Sequence, residues 1–177
     1  VDKNIINKLK ENDVKIIKCA YLPGYLFRLT RFLASENIEG YYMCRDVDCR
    51  LTERDIISNN EWLNSNYKYH IVRDHPGHFM SILAGLWGCK KNMGSNIRFK
   101  MAKFMYEKKM SYVTQSDQQF LHYNIYPLVK NNVLEHDEFN SFVKGTKIKH
   151  NRKNNEYIGE AYDENNKILD ISLRYVN

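Results

Sequence analysis

Segments typical of short β-strands alternate along the chain with segments that have the apolar spacing of amphipathic helices. We predict strands over VKIIKC (14–19), IEGYYMC (38–44) and YKYHIV (67–72). We predict helices over 3–11, YLFRLTRFLAS (25–35), TERDIISNNEWLNS (52–65), 95–108 and 116–129, with Thr52 as the N-cap of the third. The alternation predicts an α/β fold with a mixed, mostly parallel sheet flanked by helices. In such sheets ligands bind at the carboxyl ends of the strands.

Two stretches are predicted to be less regular. SILAGLWGCK (81–90) is apolar but interrupted by Gly85 and Gly88, so we predict no long helix there. The last third of the chain, including HNRKNNEYIGEAYDENNK (150–167), is predicted to form loops and short strands with a peripheral hairpin. With 177 residues and no internal repeat, we expect one domain over 1–177.

Composition limits the classes of protein that the chain fits. No run approaches the roughly 20 apolar residues that span a bilayer, so we predict no transmembrane segment. The first residues are too charged for a secretory signal, and the four cysteines form no CxxC pair. We therefore expect a cytoplasmic protein with free thiols.

The net charge of +6 leaves three kinds of anionic partner open: a nucleic acid, a membrane surface or a phosphate-bearing small molecule. Much of the positive charge lies in KNMGSNIRFKMAKFMYEKK (91–109) and KGTKIKHNRKNN (144–155), which can equally be solvated surfaces. Charge alone does not choose among these partners.

Two carboxylates, Asp46 and Asp48, follow directly after the predicted strand IEGYYMC. Carboxylates at i and i+2 at a strand end can converge on one Mg²⁺ or Mn²⁺, which takes diphosphate oxygens as further ligands. The alternative is that they only form a turn and cap the next helix.

Two further pairs stand later in the chain. Asp117-Gln118 begins a predicted helix, and His136-Asp137 follows the β-prone Val133-Leu134. Asp117 can instead be a helix N-cap and His136 a structural histidine. A zinc site formed by Cys44, Cys49, His75 and His78 is disfavoured, because both spacings depart from those of zinc fingers.

Five blocks together carry a resemblance to a known family. They are CRDVDCRLTERD (44–55), WLNSNYKYHIVRDHPGHFMSILAGLWGCK (62–90), SDQQFLHYNIYP (116–127), LEHDEF (134–139) and NEYIGEAYD (155–163). In this order they resemble a family of GT-A-fold glycosyltransferases of bacteria and large DNA viruses, and more distantly the retaining, glycogenin-like enzymes. Against that fold the chain is expected to lack the first strand–helix–strand unit, which holds the nucleotide base.

The resemblance implies roles for individual positions. It implies Asp46, Asp48 and His136 as ligands of Mn²⁺ or Mg²⁺, and Asp117 and Gln118 as catalytic residues near the anomeric carbon of the sugar. It implies that Ala84-Gly85 approaches the donor sugar and that His75 and His78 belong to the donor site, while Arg45 is expected to assist the departing diphosphate.

Taken together, these features predict a metal-dependent glycosyltransferase. It would move a sugar from a nucleotide-diphosphate donor to a glycan or other hydroxyl acceptor, with retention of configuration. The preferred donor would be a UDP-sugar. Nucleic acid is not an expected partner. The alternatives are a catalytically degenerate relative and a basic nucleic-acid-binding module that uses some of the 13 tyrosines for stacking.

Overall fold

The structure is a computed structural model that describes residues 2–16, 27–36, 39–90, 96–107 and 115–170. Helices and strands alternate along much of the chain, as in an α/β protein. They are α1 (Lys3–Glu11), a 3₁₀ helix (Arg28–Glu36), β1 (Tyr42–Cys44), α2 (Glu53–Leu63), β2 (Tyr69–Arg73), β3 (Trp87–Cys89), α3 (Asn96–Glu107), α4 (Ser116–Phe120), a π helix (Leu121–Ile125), α5 (Tyr126–Val129) and β4 (Val133–Asp137).

The four strands form one mixed sheet in the order β1-β3-β2-β4. Strand β4 runs parallel to β2, whereas β3 is antiparallel to both of its neighbours. The predicted α/β class is confirmed, but the sheet is not mostly parallel, since only one of its three pairs is. The reason is the connection from β2 to β3, a loop over 74–86 without a crossover helix, which suits antiparallel strands.

Most of the local predictions hold. Helices α1 and α3 are found where apolar spacing predicted them, and Thr52 caps α2 by accepting a hydrogen bond from the Asp55 backbone N–H at 3.2 Å. The helix predicted over 25–35 is a 3₁₀ helix from Arg28, with 25 and 26 outside the described residues, and the one predicted over 116–129 is divided by a π turn. Of the strand predicted over 14–19, the first three residues are not in a strand and the rest lie outside the described residues.

Each face of the sheet has its own apolar cluster. On one face the 3₁₀ helix, α3, α4 and the π helix pack on the sheet, and Phe32 contacts Trp87 and Phe120 at ring distances of 5.9 and 5.8 Å. On the other face Val72 and Leu86 pack against Ile148 and Ile158 of the C-terminal loops. The strands therefore lie between these two apolar clusters.

A buried charge cluster fixes the start of the loop that joins β2 to β3. The carboxylate of Asp74 is fully buried and pairs with Arg54 at 2.6 Å and with Arg152 at 2.7 Å. It also accepts a hydrogen bond from the Ile158 backbone N–H at 2.9 Å. Buried charges require such pairing, so Asp74 ties α2, this loop and the C-terminal segment together.

Candidate functional site

A cleft of about 430 Å³ opens where β1 ends and β3 begins. Its walls come from the 3₁₀ helix, the residues after β1, the loop before β3, the start of α4 and the C-terminal segment. The side chains and backbone that matter for its chemistry belong to Arg28, Arg31, Asp46, Gly85, Asp117 and Gln118. Its volume is in the range of small-molecule sites.

Asp46 is held in the cleft by an ion pair with the 3₁₀ helix. Its Oδ1 lies 2.7 Å from Arg31 Nη1, and the two side chains are 43% and 32% exposed. Burial lowers the pKa of Arg31, but the charge and hydrogen bond of Asp46, with a smaller contribution from Asp117, raise that pKa overall. Asp46 is therefore the main source of the field at this guanidinium, and Cys44 and Asp117 contribute less.

Asp48 occupies a different position from Asp46. The Cys49 backbone N–H donates to the Asp46 carbonyl at 3.1 Å and so closes a turn that leaves Asp48 exposed. The Asp48 carbonyl accepts a hydrogen bond from the Tyr162 N–H at 2.9 Å, which attaches this turn to the C-terminal segment. Of the predicted pair of aspartates, only Asp46 lines the cleft.

Gly85 lies directly against Asp46. A Cβ atom at this position would be 2.2 Å from Asp46 Oδ2 and 2.7 Å from its Cγ, which no real contact allows. The absence of a side chain at residue 85 is therefore what leaves room for the carboxylate. The resemblance predicts that this glycine approaches the donor sugar, which stays a prediction, and the structure places it against the aspartate.

The neighbouring Ala84 connects the loop to α4. Its backbone N–H donates to Gln118 Oε1 at 2.8 Å, and Asp117 Oδ1 accepts from the Gln118 backbone N–H at 3.0 Å. Helix α4 begins after Gln115, whose backbone has a positive φ of 67° and whose side chain makes no capping hydrogen bond. Asp117 and Gln118 thus reach the cleft from the first turn of a helix.

His78 lines the cleft, whereas His75 stabilises the loop beneath it. His78 Nδ1 accepts a hydrogen bond from the Asp74 N–H at 3.2 Å, and burial, with the charges of His75, Arg152 and Arg73, lowers the pKa of His78 to about 3. The ring is therefore neutral at pH 7 and carries its proton on Nε2. His75 Nδ1 accepts from the Gly77 N–H at 3.0 Å, and its ring lies 4.5 Å from that of Tyr157.

Two predicted site residues are engaged elsewhere. Arg45 binds Asp55 of α2 with hydrogen bonds of 2.8 and 3.1 Å, so its charge is directed away from the cleft. His136 is buried on the face covered by α2, where its ring nitrogens lie 2.8 Å from His70 Nε2 and 3.3 Å from Glu61 Oε2. Burial lowers the pKa of His136 despite the charge of Glu61.

The predicted metal ligands consequently do not converge. Within the described residues, no group of three or more His, Cys, Asp or Glu side chains is arranged to hold a metal ion. Asp46, Asp48 and His136 therefore do not fit one divalent cation in this arrangement. The disfavoured zinc site of Cys44, Cys49, His75 and His78 gains no support either.

The two arginines of the 3₁₀ helix are the site residues that the sequence analysis missed. Arg28 and Arg31 are three residues apart and lie on the same side of a helix whose Leu29 and Phe32 are buried. That spacing of basic residues beside apolar ones was the available signal. The positive stretches named in the sequence analysis, 91–109 and 144–155, are in other parts of the chain.

A scan against models of protein families, a search of curated proteins and a search of solved structures found no significant match. The family resemblance therefore stays a prediction. Among the helices that the structure describes, none is long and apolar enough to cross a membrane.

Proposed function

We propose that the chain is a glycosyltransferase that moves a sugar from a nucleotide-diphosphate donor, a UDP-sugar for preference, to a hydroxyl acceptor. One observation carries the proposal. Asp46, the Ala84-Gly85 turn and Asp117-Gln118 are far apart in sequence, and they line a single cleft in which Gln118 binds the Ala84 N–H. The same three elements were assigned to one active site from the resemblance.

Asp117 is proposed to face the reacting carbon of the sugar. Glycosyl transfer passes through a state with positive charge on the sugar ring, which a nearby carboxylate stabilises. Asp117 is largely buried and borders the cleft, where a fixed charge acts more strongly than in water. Retention of configuration is part of the proposal on the strength of the resemblance.

Gln118 is proposed as a positioning residue. Its carboxamide oxygen accepts the Ala84 N–H at 2.8 Å, so the side chain sets the distance between α4 and the turn that contains Gly85. Because Gly85 in turn contacts Asp46, this hydrogen bond connects the two carboxylates of the cleft through the backbone.

The requirement for Mn²⁺ or Mg²⁺ stays a prediction. Asp46 is the predicted ligand that lines the cleft, and His136 is bound by His70 and Glu61 instead. The donor reaction in Mn²⁺, in Mg²⁺ and in EDTA tests this requirement directly. Equal turnover in all three would contradict it.

The function is tested by a screen of UDP-, GDP- and dTDP-sugars that follows release of the nucleotide with and without simple sugar acceptors. We expect release from at least one donor, and an Asp117→Asn variant should lose turnover far more than donor affinity, since its charge acts in the transition state. Lys103→Gln, at an exposed position of α3, is the control. Absence of turnover with every donor, together with binding of oligonucleotides, would favour the nucleic-acid-binding alternative.

A further inference from the structure

The 3₁₀ helix presents two arginines to the cleft in a fixed direction. Residues i and i+3 of a 3₁₀ helix lie above one another, so Arg28 and Arg31 project from the same side. Leu29 and Phe32 are fully buried and anchor an adjacent side of the helix in the core. The side of the helix from which both arginine side chains leave is therefore set by the core packing of their neighbours.

The two arginines differ in their present partners. Arg31 pairs with Asp46 at 2.7 Å, but both side chains are partly exposed, and such pairs contribute little net stability. Arg28 is exposed and, in the part of the chain that the structure describes, makes no ion pair. Among the described residues, one guanidinium thus has no carboxylate partner, and the other is held by an ion pair that another anion can replace.

The two guanidinium groups of the cleft favour an anion with two phosphate groups. Among the lining residues that the structure describes, the positive charges of Arg28 and Arg31 equal in number the negative charges of Asp46 and Asp117. The planar guanidinium fork matches phosphate oxygens and binds them with paired hydrogen bonds. A diphosphate can occupy both forks at once, which a single phosphate cannot do as well.

We infer that Arg28 and Arg31 bind the diphosphate of the donor, and that Arg31 exchanges Asp46 for a phosphate oxygen when it does so. The identity of the ligand as a nucleotide-sugar donor rests on the proposed function. The anion site itself rests on the two arginines, on the volume of the cleft and on the Arg31–Asp46 pair.

The test is calorimetric titration with inorganic pyrophosphate in EDTA, so that no metal contributes. Arg28→Gln and Arg31→Gln should each weaken binding by about tenfold or more, as expected when hydrogen bonds to a charged group are lost. Lys103→Gln removes one positive charge from exposed α3 and is the matched control, with less than about a twofold change. UDP should bind more tightly than UMP if the site prefers diphosphate.

Asp46→Asn provides a result of opposite sign. It removes the partner of Arg31 and one negative charge while keeping the shape of the side chain, so pyrophosphate in EDTA should bind more tightly, by about two- to tenfold. A variant that merely damaged the fold would weaken binding instead, and circular dichroism checks the fold independently.

Several results would overturn the inference. They are undetectable pyrophosphate binding by the wild type, unchanged binding by both arginine variants, or weaker binding by Asp46→Asn. Its failure is distinguishable from that of the proposed function. Arginine-dependent pyrophosphate binding without sugar release from any donor would leave the anion site standing and reject the transferase, and sugar release with unaffected arginine variants would do the reverse.

Discussion

Replacing Gly85 by alanine is expected to move the Asp46 carboxylate out of its position in the cleft. The added Cβ would lie 2.2 Å from Oδ2, so this oxygen must move by about 1.2 Å to reach the 3.4 Å of an ordinary contact. The short side chain of Asp46 must itself make that shift. The movement separates Oδ1 from Arg31, which it now binds at 2.7 Å.

The cost to stability should be small and the cost to function large. Loss of a partly exposed ion pair costs at most about 1 kcal/mol, and a side chain forced off its rotamer about 0.5–1.5 kcal/mol. For a chain of this size, each kcal/mol lowers the melting temperature by about 2–4 °C. Misplacement of a site group by about 1 Å can cost on the order of 100-fold in rate. Thermal unfolding and sugar release from the best donor measure the two effects.

Gly88→Ala is the matched control for the same chemical change. A Cβ at Gly88 would lie 2.7 Å from the Tyr42 carbonyl oxygen and 3.1 Å from the Trp62 ring, so it strains the β1–β3 pairing and not the cleft. It should lower the melting temperature more than Gly85→Ala and leave the turnover of folded protein closer to wild type. Wild-type turnover by Gly85→Ala would refute the idea that Asp46 must occupy this position.

Three further changes test other parts of the structure. Gln118→Ala leaves the buried Ala84 N–H without its acceptor, so we expect the free energy of unfolding in urea to fall by about 1–3 kcal/mol and turnover to fall with it. Gln118→Glu should largely restore both. Stability equal to wild type would contradict the importance of this hydrogen bond. Asp74→Ala removes the shared partner of two arginines and should cost about 3–5 kcal/mol, and a loss below 1 kcal/mol would argue against the buried cluster. Because the pKa of His78 falls to about 3 on folding, its contribution to stability is complete above pH 6.5 and is lost as the pH falls from there towards 3, at up to about 1.4 kcal/mol per pH unit. His78→Gln should therefore make the pH dependence of urea unfolding shallower. An unchanged slope would show that His78 is not held neutral.

Local patterns predicted local structure well. The N-cap at Thr52 and the amphipathic spacing of α1 and α3 depend on residues within a few positions of each other, so they can be read without tertiary information. Strand β3 could not be read in this way. Trp87–Cys89 is short and contains a glycine, and it is a strand because β1 and β2 pair with it on both sides.

The same distinction separates the site residues. Motif positions such as Asp46 and Gly85 line one cleft. Arg45 and His136 do not, because Arg45 binds Asp55 of α2 and His136 binds His70 of β2 and Glu61 of α2, which is 75 residues from His136 in sequence. Packing likewise decides which side of the 3₁₀ helix faces the cleft, so the sequence alone did not predict Arg28 as a site residue.

The net charge of the chain is a poor guide to what the cleft recognises. The charge of +6 belongs to the whole chain, whereas the described lining of the cleft balances two arginines against two carboxylates. A ligand is therefore selected by how it changes the pairing among these four charged groups, and not by long-range attraction alone. Under the proposed function, a diphosphate that binds both Arg28 and Arg31 leaves Asp46 without its partner and Asp117 with less opposing positive charge. Both carboxylates then face the sugar, where positive charge develops as its bond to the diphosphate breaks.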